Sequence, residues 1–424
     1  MNQLKEDTNR ERPMPVSAGE RLHAVDMLRG FALIGVLLVN TQMYNDTMMG
    51  FSAAPLSYTG AANQVAALLI QIFATGKFYT LFSILFGLGF YLFTERLTQK
   101  GLPAVSLFRR RLFLLLLIGL FHFTLFWYGD ILMSYAFTGF ILMAFRKKTP
   151  EQLKKWVIVL LCLSTLVMGG LMALQAVSLE SLAPQQATYY EAQVQQAVTQ
   201  YREGSYLATI GYRLTSELPL VLLSTLFIVP KLLALFLAGL YAGKTCLFQK
   251  LHDACCQNGT SDRSESKELQ ERVRRIWRNS GLIGWSLTAV YVVVDLQLIP
   301  GAGLAARLAA EWAREISTVA LCLFYITSLL QLWQRPRWQQ RLGGFQAMGR
   351  LALTHYLTQS VILSLVFYGH GLGMIQRLPL WQGVILSLVV YSLQMVVSSH
   401  YLNHFRHGPA EFLWRKGTYG KRAA

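Results

Sequence analysis

Apolar runs separated by short polar loops recur along the whole chain. An α-helix needs about 20 apolar residues to cross the hydrocarbon of a bilayer, so runs of this length predict membrane spans. The second run is interrupted at Gly76–Lys77, which predicts either an interfacial helix followed by a span or one broken span. The pattern predicts an all-α, polytopic membrane protein. About ten transmembrane helices are expected from it, at residues 25–45, 66–93, 111–128, 131–146, 156–177, 217–247, 278–299, 312–333, 346–372 and 379–402.

Basic residues are concentrated in alternate loops. Cytoplasmic loops carry an excess of Lys and Arg, so this alternation predicts that both termini are cytoplasmic. The basic loops are 96–111, 146–155, 244–277, 335–350 and the C-terminal tail, and the poorly basic loops are 46–63, 178–211 and 300–306. The predicted organisation is a cytoplasmic N-terminal segment at 1–24, a transmembrane bundle at 25–240 with an extracytoplasmic cap at 178–211, and a C-terminal transmembrane domain at 241–424 with a basic cytoplasmic tail.

Composition agrees with this interpretation. The 424 residues are 53% hydrophobic and 14% charged, whereas an average soluble domain carries about a quarter charged residues. The net charge of +17 is carried by the loops, and no interleaving of basic and aromatic residues indicates nucleic-acid binding. The five cysteines lack the regular spacing of a disulfide framework or a metal site. No P-loop, dinucleotide-binding, nucleophile-elbow or zinc-protease motif is present.

The first apolar run begins with an acid and a base. Asp26 and Arg29 precede a stretch of uncharged residues that leads to Asn40. Arg29 and Asn40 are eleven residues apart, which places both on one face of a helix, about 16 Å apart along its axis. That face is expected to line the interior of a bundle and to contribute to substrate binding. The alternative is an interfacial ion pair in which Arg29 meets lipid phosphate.

A histidine and an aspartate flank the end of the third apolar run. Arg111 and His122 are again eleven residues apart and share a helix face, and Asp130 follows just past the end of the run. A carboxylate next to an imidazole fixes the tautomer and stabilises the imidazolium, which suits a general base. His122 and Asp130 are therefore the candidate catalytic pair. The alternative is a hydrogen-bonded core histidine.

Other polar residues in apolar surroundings are candidates for ligand binding. Lys77 follows the break in the second run and is expected either to meet a phosphate or carboxylate or to extend to the interface. Arg314 and Glu315 lie in the eighth run, where an intrahelical salt bridge is the alternative. Tyr356 and Gln359 are three residues apart and share a helix face.

Several strings resemble a known family. They are "VDMLRGFALIGVLLVN", "KFYTLFSILFGLGF", "RLFLLLLIGLFHFTLFWYGDILMSYAFTG", "GRLALTHYLTQS" and "FRHGPAEFLWR", in this order across nearly the whole chain. Together they identify the chain as similar to the YeiB-like family of bacterial inner-membrane proteins, a domain-of-unknown-function family (DUF418). The C-terminal half, from about residue 240, resembles that family's defining domain.

The family is in turn similar to a superfamily of multi-span acyltransferases, which includes the heparan-glucosaminide N-acetyltransferase and the acyltransferase-3 sugar O-acetylases. The likeness is carried mainly by the D-x-x-R-G opening that contains Asp26 and Arg29. It implies transfer of an acyl group from cytoplasmic acetyl-CoA or another acyl-CoA, without a metal, to a small-molecule or glycan hydroxyl or amine at the bacterial inner membrane. Arg29, Lys77 and Arg111 would bind the donor phosphates.

The sequence departs from the superfamily in its histidines. The acyltransferase-3 group has a histidine eleven residues after its helix-one arginine, where this chain has Asn40. The heparan enzyme has its catalytic histidine in the loop after its first helix, and the corresponding loop of this chain contains no histidine. We therefore expect His122, oriented by Asp130, to supply the base and Asn40 or Tyr356 to stabilise the oxyanion. The alternative function is a transporter or lipid-handling protein whose buried charges form a substrate path. Membrane lipids are expected partners, nucleic acid is not, and a homodimer is a further option.

Overall fold

A computed structural model describes residues 22–51, 57–180, 184–245, 263–298 and 303–420. The described residues form helices and loops, with no strand among them. The helices are α1 (His23–Tyr44), α2 (Ala61–Phe73), α3 (Lys77–Gln99), α4 (Ala104–Leu125), α5 (Leu132–Leu142), α6 (Pro150–Glu180), α7 (Pro184–Glu203), α8 (Tyr206–Tyr212), α9 (Leu218–Lys244), α10 (Arg263–Asp295), α11 (Leu304–Trp333), α12 (Pro336–Arg341), α13 (Gly343–Arg350), α14 (Ala352–Phe367), α15 (Leu380–His404) and α16 (Pro409–Tyr419).

Each of the ten predicted apolar runs coincides with a helix over most of its described residues, with 246–247 and 299 lying outside those residues, and the all-α polytopic membrane fold is confirmed. Four of these helices, α4, α5, α10 and α14, are too short or not apolar enough to qualify as complete membrane spans by length and composition. Within the described ranges, six segments are long and apolar enough to cross a bilayer: His23–Tyr44, Ala61–Gln99, Pro150–Leu171, Tyr206–Lys244, Leu304–Trp333 and Leu380–His404.

Two of the predicted runs are broken in the middle. The 66–93 run forms two helices, α2 and α3, because the chain turns at Gly76, whose φ of 81° is readily adopted only by glycine. The 346–372 run is divided between α13 and α14 at Leu351. The prediction of an interruption at Gly76–Lys77 is therefore confirmed, with α2 as a separate helix.

Glycines allow two pairs of helices to cross at backbone contact. A Cβ on Gly30 of α1 would lie 1.8 Å from the carbonyl oxygen of Phe345 on α13, and one on Gly349 would lie 1.7 Å from that of Asp26. Gly87 of α3 meets the backbone of α9 in the same way. Inside a bilayer there is no hydrophobic driving force for helices to associate, and close backbone packing of this kind stabilises their contact instead. These crossings hold α1 and α3 in the places that shape the central cavity.

The described part of the predicted cap packs over one end of the bundle. Tyr201 of α7 is buried, and its carbonyl oxygen accepts a hydrogen bond of 2.8 Å from the backbone N–H of Gly369. The Arg202 guanidinium donates to the carbonyl oxygen of Ile375 at 2.9 Å. Helix α7 is thereby attached to the loop between α14 and α15.

Candidate functional site

A cavity of about 1230 Å³ runs through the bundle between α1, α3, α4, α5, α9, α14 and α16. We call its two ends the basic end, after its arginines, and the dyad end, after the neighbouring pair of His122 and Asp130. The basic end is lined by five arginines, one histidine and three carboxylates: Arg29, Arg96, Arg111, Arg350, Arg415, His407, Asp26, Glu95 and Glu411. The dyad end is lined by Asn40, Met43, Trp127, Tyr128, Asp130 and Tyr356.

Arg29 and Asn40 line the same cavity from α1, as their spacing predicts. The Arg29 guanidinium pairs with the Asp26 carboxylate at 3.0 Å, one turn earlier on the helix. Gly89 of α3 faces this guanidinium, since a Cβ there would lie 3.6 Å from it. The ion pair of the alternative interpretation is therefore present, and it lies at the cavity rather than apart from it.

Arg111 is held at the basic end by aromatic rings. Its guanidinium lies 3.8 Å from the centroid of the Trp414 ring and 5.3 Å from that of Phe93. The Trp414 indole N–H donates to the carbonyl oxygen of Arg111 at 2.9 Å. No carboxylate of the described residues forms an ion pair with Arg111. Its charge is therefore available to an anion in the cavity, and the rings fix its direction.

His122 and Asp130 form a hydrogen-bonded pair, as predicted. Imidazole Nδ1 and carboxylate Oδ1 are 2.8 Å apart, and both side chains are fully buried. The other carboxylate oxygen accepts the backbone N–H of Met133 at 2.9 Å in the first turn of α5. Gly119 lets α4 approach this turn, since a Cβ there would lie 2.9 Å from Asp130 Oδ2. An ionised carboxylate only accepts, so with Asp130 in that form a neutral His122 ring would carry its proton on Nδ1 and its lone pair on Nε2.

The His122 ring lies behind the wall of the cavity rather than in it. Tyr356 lines the cavity, and the centroid of its ring is 5.0 Å from that of the imidazole. Nε2 of His122 finds no hydrogen-bond partner among the described residues, and neither do Oη of Tyr356 and Nε1 of Trp127. Buried polar atoms are nearly always paired in native proteins, so these atoms have hydrogen-bonding capacity left for a water molecule or a ligand.

Lys77 and Arg314 lie outside the cavity lining, in a polar region where the ends of α2 and α10 meet the start of α3 and the first half of α11. The Lys77 ammonium donates to the carbonyl oxygen of Gln71 at 2.8 Å. Arg314 pairs with Asp295 across the helices at 2.7 Å and with Glu311 on its own helix at 3.4 Å. The predicted intrahelical salt bridge is thus present, and the neighbours of both cations are protein groups.

Glu315 and Gln359 also face other partners. Glu315 forms an ion pair with Lys231 of α9. Gln359 is buried and donates to Gln394 of α15 at 2.8 Å. The structure thus brings Asp26, Arg29, Asn40, Arg111, Asp130 and Tyr356 to one cavity, with His122 directly behind it, and leaves Lys77, Arg314, Glu315 and Gln359 elsewhere.

A loop that follows α1 covers part of the dyad end. Met48 lines the cavity, and the Asn45 amide donates to the carbonyl oxygen of Leu378 at 2.8 Å. Asn45 also accepts the backbone N–H of Gln376 at 2.9 Å. Burial raises the pKa of the neighbouring Asp46 carboxyl above its ordinary value. The two hydrogen bonds of Asn45 fix the loop to the segment before α15.

Sequence reasoning missed the contribution of the C-terminal helix α16. Trp414 and Arg415 of this helix line the basic end, although hundreds of residues separate them from α1 and α4. Glu411 joins α16 to the start of α14 by accepting the backbone N–H groups of Leu353 and Thr354 at 2.7 and 3.0 Å. The available signal was the aromatic and basic composition of "FRHGPAEFLWR". It could indicate an interfacial helix but not the cavity that the helix closes.

These features define a class: a polytopic α-helical membrane protein with an internal cavity that is cationic at one end and borders a histidine–aspartate pair at the other. Within the described ranges, no group of three or more His, Cys, Asp or Glu side chains is arranged to hold a metal ion.

Comparison with known proteins gives the family. The family described as "Protein of unknown function (DUF418)" matches residues 263–421. The chain is 31% identical to the uncharacterized protein YxaH of Bacillus subtilis over 96% of both chains. It is 26% identical to the uncharacterized protein YeiB of Escherichia coli, over 94% of this chain and 96% of that one. The chain therefore belongs to the YeiB-like DUF418 family. No solved structure gives a significant match.

Proposed function

We propose that this protein is an integral membrane acyltransferase. It moves an acyl group, with acetyl as the first candidate, from a CoA thioester to a hydroxyl or amine acceptor at the bacterial inner membrane. The observation that carries the proposal is one cavity that runs from an arginine-rich end to Asp130, with its partner His122 directly behind the wall. A donor with a phosphate-rich head and a long arm that ends in a thioester matches this distribution of charge.

The basic end suits the phosphates of the donor. Arginine binds phosphate oxygens in a bidentate manner and stays charged at all working pH values. Arg111 has no carboxylate partner among the described residues, and the charge of Arg29 is offset only by Asp26 at its side. The alternation of basic loops predicts that this end faces the cytoplasm, where acyl-CoA is made.

The dyad end suits the transfer step. Arg29 and Asn40 are about 16 Å apart along α1, so a donor held by its phosphates reaches the dyad end with an extended pantetheine arm. The acceptor O–H or N–H attacks the thioester carbonyl carbon, the new C–O or C–N bond forms, and the C–S bond breaks. His122 Nε2 takes the acceptor proton and returns it to the departing CoA thiolate.

Two neighbouring groups complete the proposed chemistry. The Asn40 amide or the Tyr356 hydroxyl donates a hydrogen bond to the carbonyl oxygen as it becomes an oxyanion. Because the Tyr356 ring packs on the imidazole, the ring has to move aside before Nε2 meets the acceptor. Tyr356 is therefore expected to control access to the base as well as to bind substrate.

The first experiment measures binding and turnover separately. CoA at about 100 times its Kd should stabilise the purified protein by about 2.7 kcal/mol, seen as a raised thermal midpoint. Arg111→Ala should weaken this stabilisation, whereas Arg109→Ala should not, since Arg109 lies on the same helix but is exposed and outside the cavity lining. His122→Ala should keep the stabilisation and lose thioester turnover.

One outcome favours the alternative function. If CoA does not stabilise the protein, and no thioester is consumed with sugar, polyol or amine acceptors, the acyltransferase proposal fails. The same cavity would then belong to a transporter or a lipid-handling protein, since most of its lining residues are apolar.

A further inference from the structure

The cavity reaches the outer surface of the bundle between α5, α6 and α9. Its lining there includes Ser134 of α5, Met168 of α6 and Thr225 and Ile228 of α9. Ser224 of α9 also lines the cavity and is exposed, and it lies one turn from Leu220 and Phe227, which are exposed without lining the cavity. A residue that borders both the cavity and the outer surface marks an opening in the side wall.

This opening faces lipid rather than water. The residues next to it on each helix are apolar and exposed: Phe137 on α5, Val167 on α6, and Leu226 and Phe227 on α9. Helices α6 and α9 are both among the spans predicted by length and composition. A polar solute would have to leave water and cross hydrocarbon to arrive here, at a cost of several kcal/mol for each unpaired polar group. An amphiphile already in the bilayer has only to move sideways.

Hydroxyl groups line the path from the opening toward the catalytic pair. The hydroxyl oxygens of Ser134 and Thr225 are 3.1 Å apart. Ser134 lies one helical turn after Asp130, whose carboxylate holds His122. Hydroxyls can donate and accept, so this wall can replace the hydrogen bonds that a hydroxylated head group gives up when it leaves the interface.

We propose that the acceptor is an amphiphile, with a hydroxyl-bearing sugar or polyol head group and a hydrocarbon tail, that enters the cavity sideways between α5, α6 and α9. The head group passes Ser134 and Thr225 to the dyad end, while the tail stays in the lipid. This proposal rests on the proposed acyltransferase function for the fate of the head group. The lateral binding site itself stands on the position of the opening.

The test uses an octyl glucoside that carries a photoreactive diazirine on the sugar, added to the full chain in nanodiscs of phosphatidylethanolamine and phosphatidylglycerol. Labelling is expected within 131–136 and 221–228. Ser224→Trp should abolish that labelling by blocking the opening, and it is tolerated by folding because Ser224 is exposed. Leu226→Trp is the matched control, since Leu226 is 60% exposed two residues away and does not line the cavity. It should label as the unsubstituted protein does.

Two results would overturn the lateral site: equal labelling of the Ser224→Trp and Leu226→Trp variants, or equal labelling of the same residues by the methyl glucoside with the same diazirine. The second would mean entry from water. Because labelling requires no CoA, it separates this proposal from the acyltransferase. Labelling as expected without any thioester turnover leaves the lateral site standing and refutes the enzyme. Turnover without lateral labelling refutes the lateral site and leaves the acyltransferase standing.

Discussion

Asp130→Asn tests whether the buried pair is a base or a structural contact. In the native protein one carboxylate oxygen accepts the backbone N–H of Met133, and the other is hydrogen-bonded to His122 Nδ1, which donates to it when the carboxylate is ionised. The Met133 N–H can only donate, so the oxygen of an asparagine would face it and the amide NH₂ would face the imidazole. Nδ1 would then have to accept, which moves the ring proton to Nε2. The base would lose its lone pair while both hydrogen bonds remain.

The two consequences differ in size. Because neither hydrogen bond is lost, the free energy of unfolding should fall by less than about 1.5 kcal/mol, the net value of one such bond. Turnover should fall by about 10²–10⁴-fold, the usual contribution of a positioned general base. Asp130→Ala should instead leave two buried N–H groups unsatisfied and cost about 1–3 kcal/mol for each.

The assay combines steady-state acyl transfer with thermal unfolding of the same purified samples. Asp295→Asn serves as the control, because it also neutralises a carboxylate but lies in the ion pair with Arg314, outside the cavity lining. It should leave turnover unchanged. If folded Asp130→Asn protein keeps turnover within about tenfold of the native rate, a barrier change of 1.4 kcal/mol or less, the dyad is not the base.

Three further predictions concern the donor, the packing and the second polar cluster. Arg111→Ala should raise the KM for the acyl-CoA donor more than it lowers kcat, and an equal rise in Arg109→Ala would contradict the assignment. Gly87→Ala should lower the free energy of unfolding by about 1–3 kcal/mol, seen as a lower thermal midpoint, because its Cβ would lie 1.9 Å from the backbone of α9. Gly170→Ala should not lower it, because there is open space around Gly170. Lys77→Met should leave the donor KM unchanged, and a raised KM would show that Lys77 reaches the donor after all.

The pattern of apolar and polar residues was sufficient to predict most of the fold and the helix face that contributes Arg29 and Asn40 to the site. Helical periodicity connects Arg29 with Asn40, and both line the cavity. His122 and Asp130 are close in sequence, so a helix followed by one turn is enough to bring them together. These are local relations, which the geometry of a single helix determines.

Relations between distant segments could not be read in this way. Lys77 resembles Arg29 as a cation beside an apolar run, but the turn at Gly76 directs it to Gln71 and away from the cavity. Trp414 contacts Arg111 because α16, which Glu411 joins to the start of α14, packs against α4. Neither outcome follows from spacing, since each depends on which helices pack together.

The proposed function divides the chemistry between two helices. The sequence-based expectation of a likeness to the acyltransferase-3 group would put an arginine and a histidine on one helix, whereas the second of these positions is Asn40 in this chain. The amide still lines the dyad end, whereas the imidazole comes from α4, where Arg111 lies eleven residues before it. Two helices thus each carry an arginine at the basic end and a polar residue at or behind the dyad end. Because Asp130, in the turn after α4, is hydrogen-bonded to His122, this pair forms without any group from α1. Under the proposed function, the first helix would then hold the donor at Arg29 and polarise the acyl carbonyl at Asn40, and an amide would be sufficient at that position because it needs only to donate a hydrogen bond.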